Sequence, residues 1–154
     1  MKTIFVFSDL HNVAVNNELT AIMCESDFVF FCGDGLNGLS WLQKLLGNKF
    51  YAVKGNCDYC GNFPESRLIK VEDITFLITH GHLFYDRLDL AYSALEQGAS
   101  CVLYGHSHLF EDLTDNGVRL INVGSLSSSP LGFVGYTYIV VNGKNIFAKF
   151  VKTT

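Results

Sequence analysis

The sequence predicts an α/β fold in which two mixed β-sheets pack face to face, with helices on the outer sides, as a four-layer αββα sandwich. Early in the chain, short apolar runs typical of buried strands alternate with segments of helical periodicity. This alternation favours parallel strands joined by crossover helices. The last third instead carries paired strand patterns around tight-turn sequences, which favours antiparallel hairpins.

Short apolar runs rich in β-branched and aromatic residues predict buried strands. These runs are residues 4–7, 28–32, 51–53, 74–78 and 101–104. Between several of them, apolar residues at helical spacing predict helices at residues 18–24, 39–46 and 88–97. Trp41 lies in the second helical pattern among leucines at this spacing, so we expect its indole in the core.

Later segments pair as predicted hairpins, namely residues 109–114 with 118–123, and 135–141 with 144–151. The sequences Asn116-Gly117 and Asn142-Gly143 separate the strands of these two pairs. Asn-Gly favours the left-handed backbone of tight hairpin turns. Residues 67–71 and 74–79 could pair as a further hairpin.

The composition fits one domain, residues 1–154, with one main core, because 49% of the residues are apolar and 17% are charged. The formal net charge is −4 and no run of Lys or Arg occurs, so we expect no extended nucleic-acid surface. The apolar start at residues 4–7 is too short for a signal peptide or a membrane span. We therefore expect a cytoplasmic protein with no membrane contact.

The cysteines number five, and without a secretion signal they favour free thiols in a reducing compartment. Cys57 and Cys60 form a Cys-x-x-Cys motif, which occurs in zinc sites and in redox centres. A structural zinc needs two more such ligands, and the sequence has no second motif of this kind. A redox motif opens a helix, whereas Gly61 and Pro64 follow here.

A polar cluster follows each of the first five predicted strands. The clusters are residues 8–12, 33–34, 55–58, 80–82 and 105–108. Ligands of open α/β sheets bind beyond the carboxyl ends of the strands, which parallel strands bring to one edge. All five histidines fall inside these clusters, so a set of isolated structural histidines is disfavoured.

The residue types in these clusters favour a metal site, because Asp, His and Asn supply the mixed oxygen and nitrogen ligands of borderline divalent cations. Asp9 and His11 are two residues apart, as are His106 and His108. In extended backbone such residues point to the same side, so each pair could address one metal cluster. Asp9 and Asp34 could each stabilise a turn or cap a helix instead. Such a role would explain either residue alone, but not the occurrence of both among the other polar clusters.

The ordered set D-x-H, G-D, G-N-x-D, H-G-H and G-H-x-H resembles the motifs of the calcineurin-like metallophosphoesterases. It is most similar to their small single-domain prokaryotic phosphodiesterases, which resemble the small retromer subunit in fold. The resemblance implies a dinuclear metal site in which a hydroxide between two divalent cations attacks a phosphodiester in line. It implies manganese as the usual metal, and the ligand types also permit iron, nickel, cobalt or zinc.

The resemblance assigns the metal ligands residue by residue. It assigns Asp9, His11 and His108 to the first metal, Asn56, His80 and His106 to the second, and Asp34 to a bridge between them. It further makes Asn56, Asp58 and His82 candidate catalytic residues, and Asn12 and Cys57 candidate substrate contacts.

Some of these assignments have alternatives. Many relatives carry a histidine where Cys57 stands, so this chain lacks the residue that usually protonates the leaving group. Asn12 could donate to a substrate phosphate or cap the following helix. His82 could serve the leaving group or hydrogen-bond within its own loop.

The expected partner is a small phosphodiester, and the resemblance implies a homo-oligomer. The alternative function is a protein-interaction scaffold with this fold and little activity, as the retromer subunit illustrates. The complete set of candidate ligands argues against a pure scaffold, which need not retain them. A metal-titrated hydrolysis assay separates the two.

Overall fold

The computed structural model describes residues 1–59 and 61–153 and contains two five-stranded β-sheets. The strands are β1 (Lys2–Phe7), β2 (Phe28–Phe31), β3 (Phe50–Ala52), β4 (Ser66–Val71), β5 (Ile74–Thr79), β6 (Cys101–Tyr104), β7 (Phe110–Asp115), β8 (Val118–Val123), β9 (Val134–Asn142) and β10 (Asn145–Thr153). The α-helices are α1 (Asn17–Glu25), α2 (Ser40–Leu46) and α3 (Arg87–Glu96), with short 3₁₀ helices at Leu36–Gly38 and Gly47–Lys49. Within the described residues, none of the helices has the length and apolar character needed to span a membrane.

The first sheet has the strand order β10-β9-β1-β2-β3. Strands β1, β2 and β3 run parallel, and the connections between them contain α1 and α2. The β9–β10 hairpin adds to β1 in the antiparallel direction, which confirms the hairpin predicted at Asn142-Gly143. The carboxyl ends of β1, β2 and β3 therefore meet at one edge.

The second sheet has the strand order β4-β5-β6-β8-β7. Strands β5, β6 and β8 run parallel, and the antiparallel strands β4 and β7 form the edges. The β4–β5 and β7–β8 pairings confirm the other two predicted hairpins. Helix α3 connects β5 to β6, so the carboxyl ends of these two strands also meet at one edge.

The side chains of β1 show how the layers form, because they alternate between two cores. Ile4 and Val6 pack in the core between the sheets, which contains residues of both sheets. Phe5 and Phe7 pack on the opposite face, against residues of α1 and α2. Helix α3 covers the outer face of the second sheet. These packing faces confirm the predicted four-layer αββα sandwich.

The prediction that Trp41 lies in the core is wrong. Leu42 and Leu46, one helical turn apart, form the buried face of α2. Trp41 and Leu45, also one turn apart, lie on the other face and are 44% and 54% exposed. Both faces of this seven-residue helix carry apolar side chains, so periodicity alone could not identify the buried one.

Candidate metal centre

Side chains from both sheets meet at one edge of the sandwich. The first sheet supplies Asp9, His11 and Asp34, which follow β1 and β2, and the second supplies His80, His106 and His108, which follow β5 and β6. The atoms approach closely across the boundary between the sheets. Asp34 Oδ2 lies 3.2 Å from His80 Nε2, and Asp9 Oδ1 lies 3.2 Å from His108 Nε2.

One group of donors consists of Asp9, His11 and His108, which offer ligand atoms within 4.8 Å of one another. The two imidazoles face each other with 3.2 Å between their Nε2 atoms. Asp9 Oδ1 lies 3.5 Å from His11 Nε2. This is the set that the resemblance assigns to the first metal.

A second group of donors adjoins the first and contains Asp9, Asp34 and His80. Asp34 Oδ2 lies 3.6 Å from His11 Nε2 as well as close to His80, so this carboxylate stands between the two groups. His106 Nδ1 lies 3.3 Å from His80 Nε2. The bridging role that the resemblance implies for Asp34 needs such a position between the two groups and stays a prediction.

One buried oxygen atom in particular shows that the donor set fits divalent cations. Asp9 Oδ1 is buried and has no hydrogen-bond partner among the described residues. A buried carboxylate oxygen without a donor is costly, and a cation removes that cost. Three imidazole nitrogens surround this oxygen, from His108, His11 and, at 3.7 Å, His80. Oxygen and nitrogen donors in this mixture suit borderline divalent metals.

Each carboxylate is held through one oxygen and presents the other. Ser8 Oγ and the backbone N–H of His106 donate to Asp9 Oδ2 at 2.8 and 3.0 Å, which leaves Oδ1 directed at the histidines. The backbone N–H of Cys57 donates to Asp34 Oδ1 at 2.8 Å, which leaves Oδ2. Such supporting contacts fix the orientation of ligands before a metal binds.

The histidines are oriented in the same way. His80 Nδ1 lies 2.8 Å from the carbonyl oxygen of Cys32, so Nδ1 carries a proton and Nε2 faces the site. The charged ring donates from Nε2 to Asp34 Oδ2, whereas the neutral ring would offer the Nε2 lone pair to a cation. Ser128 Oγ lies 3.1 Å from His108 Nδ1 and holds that ring from the far side. Both contacts direct Nε2 inward.

Three supporting serines were missed by the sequence prediction. Ser8 and Ser128 hold metal-centre side chains, and Ser125 Oγ donates to the backbone carbonyl of Asp9 at 3.1 Å. The segment 125–129 reads as an ordinary loop in the sequence. Only for Ser8, inside the first polar cluster, does the sequence give a signal.

The ionisation of the site favours a positive charge inside it. Burial alone would raise the pKa of Asp34, but hydrogen bonds from His80 and from the Cys57 amide outweigh it and lower the pKa to about 2. Burial likewise opposes a charge on His80, but Asp34 and Asp9 raise its pKa above the ordinary value. Burial and the neighbouring His80 lower the pKa of His106. The carboxylates thus favour a positive charge beside them, which either a protonated histidine or a metal ion can provide.

The backbone of the site is strained. Six non-glycine residues here have φ between 40° and 74°, namely Asp9, His11, Asn12, Asp34, His106 and His108. Such left-handed conformations cost of order 1–3 kcal/mol each and persist where surrounding structure enforces them. The prediction that Asp9 and His11, and likewise His106 and His108, share a side through extended backbone is therefore wrong in its geometry. Each pair reaches one site from left-handed turns.

Two glycines let the backbone approach the carboxylates. A Cβ added at Gly55 would lie 2.7 Å from Asp34 Cγ, and one added at Gly105 would lie 2.6 Å from Asp9 Oδ2. Neither position has room for a side chain. The backbone at Gly105, which follows a strand of the second sheet, therefore packs directly against the carboxylate of Asp9, which follows a strand of the first.

Asp58 holds two of the site's loops together. Its Oδ2 accepts hydrogen bonds from the backbone N–H groups of Asp34 and Gly55, both at 2.8 Å. Its Oδ1 accepts from those of Gly35 and Leu36 at 2.9 and 3.0 Å. These four contacts indicate a positioning role, whereas the sequence predicted a catalytic one.

Asn56 and Cys57 lie at the exposed rim of the site. Asn56 Nδ2 lies 3.5 Å from Cys57 Sγ. The Cys57 sulfur lies within 4.8 Å of a donor atom of His11 and one of Asp34. Burial and the nearby Asp34 carboxylate raise the pKa of the Cys57 thiol, so it stays protonated at neutral pH. The predicted free thiol of Cys60 lies outside the described residues.

Asn12 and His82 border the centre. Helix α1 is capped by Asn16, whose side chain accepts a hydrogen bond from the Leu19 amide, so Asn12 is not its cap. His82 Nδ1 is buried and has no hydrogen-bond partner among the described residues. Burial and the neighbouring His80 and His106 lower the pKa of His82. Its ring centroid lies 5.4 Å from that of His80.

Comparisons with known proteins show the family of this chain. Residues 1–145 match the model of the calcineurin-like phosphoesterase superfamily domain. The probable metallophosphoesterase YsnB of Bacillus subtilis is 33% identical over 130 residues, which cover 80% of this chain and 74% of that protein.

Two solved structures share the fold. A predicted phosphoesterase from Streptococcus pneumoniae matches with a TM-score of 0.80 at 26% identity, over 98% of this chain and 89% of that one. A structure described as a novel archaeal phosphodiesterase matches with a TM-score of 0.74 at 20% identity, over 97% and 99% of the two chains. With the family model spanning nearly all of the sequence, this chain belongs to the calcineurin-like phosphoesterase superfamily.

Proposed function

We propose that this protein is a metal-dependent phosphodiesterase that binds two divalent cations and hydrolyses a small phosphodiester. The observation that carries the proposal is the convergence of two carboxylates and four imidazoles at one edge of the sandwich. Three of these imidazoles surround Asp9 Oδ1, which has no hydrogen-bond partner among the described residues. Family membership supports hydrolysis of a phosphate ester. The archaeal phosphodiesterase that shares the fold is consistent with a diester substrate.

The charge around the site supports a diester over a monoester. Among the described residues that line the adjoining cleft, none is Lys or Arg, and Asp34 and Asp58 are both acidic. A phosphomonoester is mostly a dianion near neutral pH, whereas a diester carries one negative charge. The lower charge of the diester suits a site whose only strong positive charges would be the cations.

The chain's own residues would hold and orient the reacting groups. Asp9, His11 and His108 would hold one cation, His80, His106 and Asn56 the other, and Asp34 both. Bound there, two divalent cations supply the Lewis acidity that activates a water and neutralises phosphate charge for an in-line displacement. Water adds across one P–O ester bond, and the products are a phosphomonoester and an alcohol. We propose manganese as the metal, while these donors also accept iron, nickel, cobalt or zinc.

Removing the metal should lower the hydrolysis of bis(p-nitrophenyl) phosphate by at least about 100-fold, because Lewis-acid stabilisation is worth several kcal/mol. Added Mn²⁺ should restore the rate. The measurement is turnover after chelation and dialysis, with and without each metal, and with p-nitrophenyl phosphate as the monoester control. Equal rates with and without metal would contradict the proposal. Stoichiometric metal binding with no hydrolysis would favour the scaffold alternative.

Cys57 should contribute little to protonating the leaving group, because its pKa is raised and a thiol is a weak hydrogen-bond donor. A positioned acid contributes roughly 10²–10⁴-fold, so rates should fall steeply from aryl to alkyl leaving groups. Cys57→His should restore part of the alkyl rate, and Cys57→Ala should leave the aryl rate within about tenfold. A leaving-group series on the three proteins tests this.

Two outcomes would overturn the expectation for Cys57. A Cys57→Ala protein as inactive as a metal-ligand variant would assign the thiol an essential role. A flat leaving-group dependence with chemistry rate-limiting would show that another group is the acid. In that case His82→Ala is the next variant, since His82 Nδ1 is unpartnered beside the site.

A further inference from the structure

A cleft of about 580 Å³ joins the metal centre to the exposed face of α2. Its lining includes His11, Asp34 and Cys57 of the metal centre, and also Trp41. A volume of this size lies within the range of roughly 300–1,000 Å³ found for small-molecule sites. A group attached to a phosphate at the metal centre can therefore extend toward the indole.

Two apolar side chains of this lining, Trp41 and Val13, are exposed in the cleft. Trp41 is 44% exposed and Val13, which also lines the cleft, is 45% exposed. Trp41 lies on the exposed face of α2, next to the buried face that Leu42 and Leu46 form, so its indole is not part of the buried core. Aromatic side chains exposed inside a cleft are typical of sites that bind the apolar body of a ligand.

The charge of the lining restricts what that ligand carries. The described residues of the cleft include no Lys or Arg. Of its two carboxylates, Asp34 faces His80, and Asp58 is occupied by four backbone amides. The described part of this lining offers no Lys or Arg to neutralise the negative charge of further phosphate groups. An uncharged ring meets no such penalty.

We propose that the cleft binds an uncharged planar ring on one ester group of the substrate, as a nucleoside phosphodiester provides, with Trp41 stacked on the ring. This inference rests on the proposed function, because it requires the phosphate to lie at the metal centre. Stacking of a base on an aromatic side chain strengthens binding by about tenfold or more. The site therefore favours nucleoside esters with a single phosphate.

The chain contains one tryptophan, so its tryptophan fluorescence reports on Trp41 alone. The metal-loaded protein is titrated with AMP and with ribose 5-phosphate, which carries the same phosphate and sugar but no base. AMP should quench the fluorescence and bind about tenfold more tightly than ribose 5-phosphate. ADP should bind no more tightly than AMP. Phenyl phosphate, titrated in parallel, separates a preference for any planar ring from a preference for a base.

The variants are Trp41→Ala, Trp41→Phe and, as the matched control, Leu45→Ala, which removes the other exposed apolar side chain of α2 outside the cleft. Competitive inhibition of bis(p-nitrophenyl) phosphate hydrolysis gives the inhibition constants of AMP and ribose 5-phosphate for each. Trp41→Ala should remove the tighter inhibition by AMP than by ribose 5-phosphate, whereas Trp41→Phe and Leu45→Ala should keep most of this difference.

The outcomes separate this inference from the proposed function. If the wild type hydrolyses the diester but AMP leaves the fluorescence unchanged, or Trp41→Ala keeps the advantage of AMP, the ring site is wrong and the phosphodiesterase stands. If AMP quenches Trp41 and the metal-loaded protein hydrolyses no diester, the ring site stands and the proposed activity is wrong.

Discussion

Asp34→Asn should lower kcat/KM for the diester by at least about 100-fold, more than the 10–100-fold loss typical of residues that only support a ligand. The asparagine oxygen can still accept from the Cys57 amide, as Asp34 Oδ1 does. An NH₂ group would then face His80 and His11, where Asp34 Oδ2 now lies. The variant therefore loses both the negative charge and the oxygen between the two donor groups.

Asn12→Ala is the control for this variant, because Asn12 lines the cleft beside the centre and is not one of the predicted metal ligands. It should lower activity less than Asp34→Asn and leave the metal content unchanged. Metal content by elemental analysis and turnover are measured on the same preparations. An active Asp34→Asn protein with full metal content would remove Asp34 from the bridging role.

Asp58→Asn should lower the free energy of unfolding by about 2–3 kcal/mol, because an amide group can accept at only one of its two ends. Two of the four backbone N–H groups now held by Asp58 would face an NH₂ group instead. One of the four N–H groups belongs to Asp34, so metal affinity should also fall, by roughly 10–100-fold. Denaturant unfolding and metal titration measure the two effects.

A positioning role for Asp58 predicts that activity returns when the metal concentration is raised. It also predicts a pH–rate profile of unchanged shape. Glu96→Gln, at an exposed site near the end of α3, is the matched control and should change stability by less than about 0.5 kcal/mol. If Asp58→Asn stays inactive at saturating metal with normal stability, Asp58 takes part in the chemistry.

The sequence predicted the architecture well because its signals are local. Apolar runs identified β1, β2, β5 and β6, and Asn-Gly identified two hairpin turns. The polar clusters at strand ends then indicated a shared edge, because parallel strands place their carboxyl ends together. His80 and Asp34 could be paired in this way although one α-helix and three strands lie between them along the chain.

The remaining features depend on contacts that no local pattern encodes. Asp58 reads as one more carboxylate of the site, and only the amides around it reveal its role. The left-handed backbone of His106 and His108 is uncommon in any residue other than glycine, and no local pattern in the sequence predicts it. Trp41 shares its helical spacing with buried leucines, and only the orientation of α2 shows its exposure.

Because the donors come from both sheets, metal binding and folding are thermodynamically linked. A cation held by Asp34 and His80 would resist separation of the two layers and would bind the unfolded chain far less tightly. At a free concentration 100 times its dissociation constant, such an ion adds about 2.7 kcal/mol to stability. Ligand variants would then lose abundance in the cell through proteolysis in addition to losing turnover. Calorimetry at several metal concentrations reveals this linkage, and a melting temperature independent of metal would exclude it.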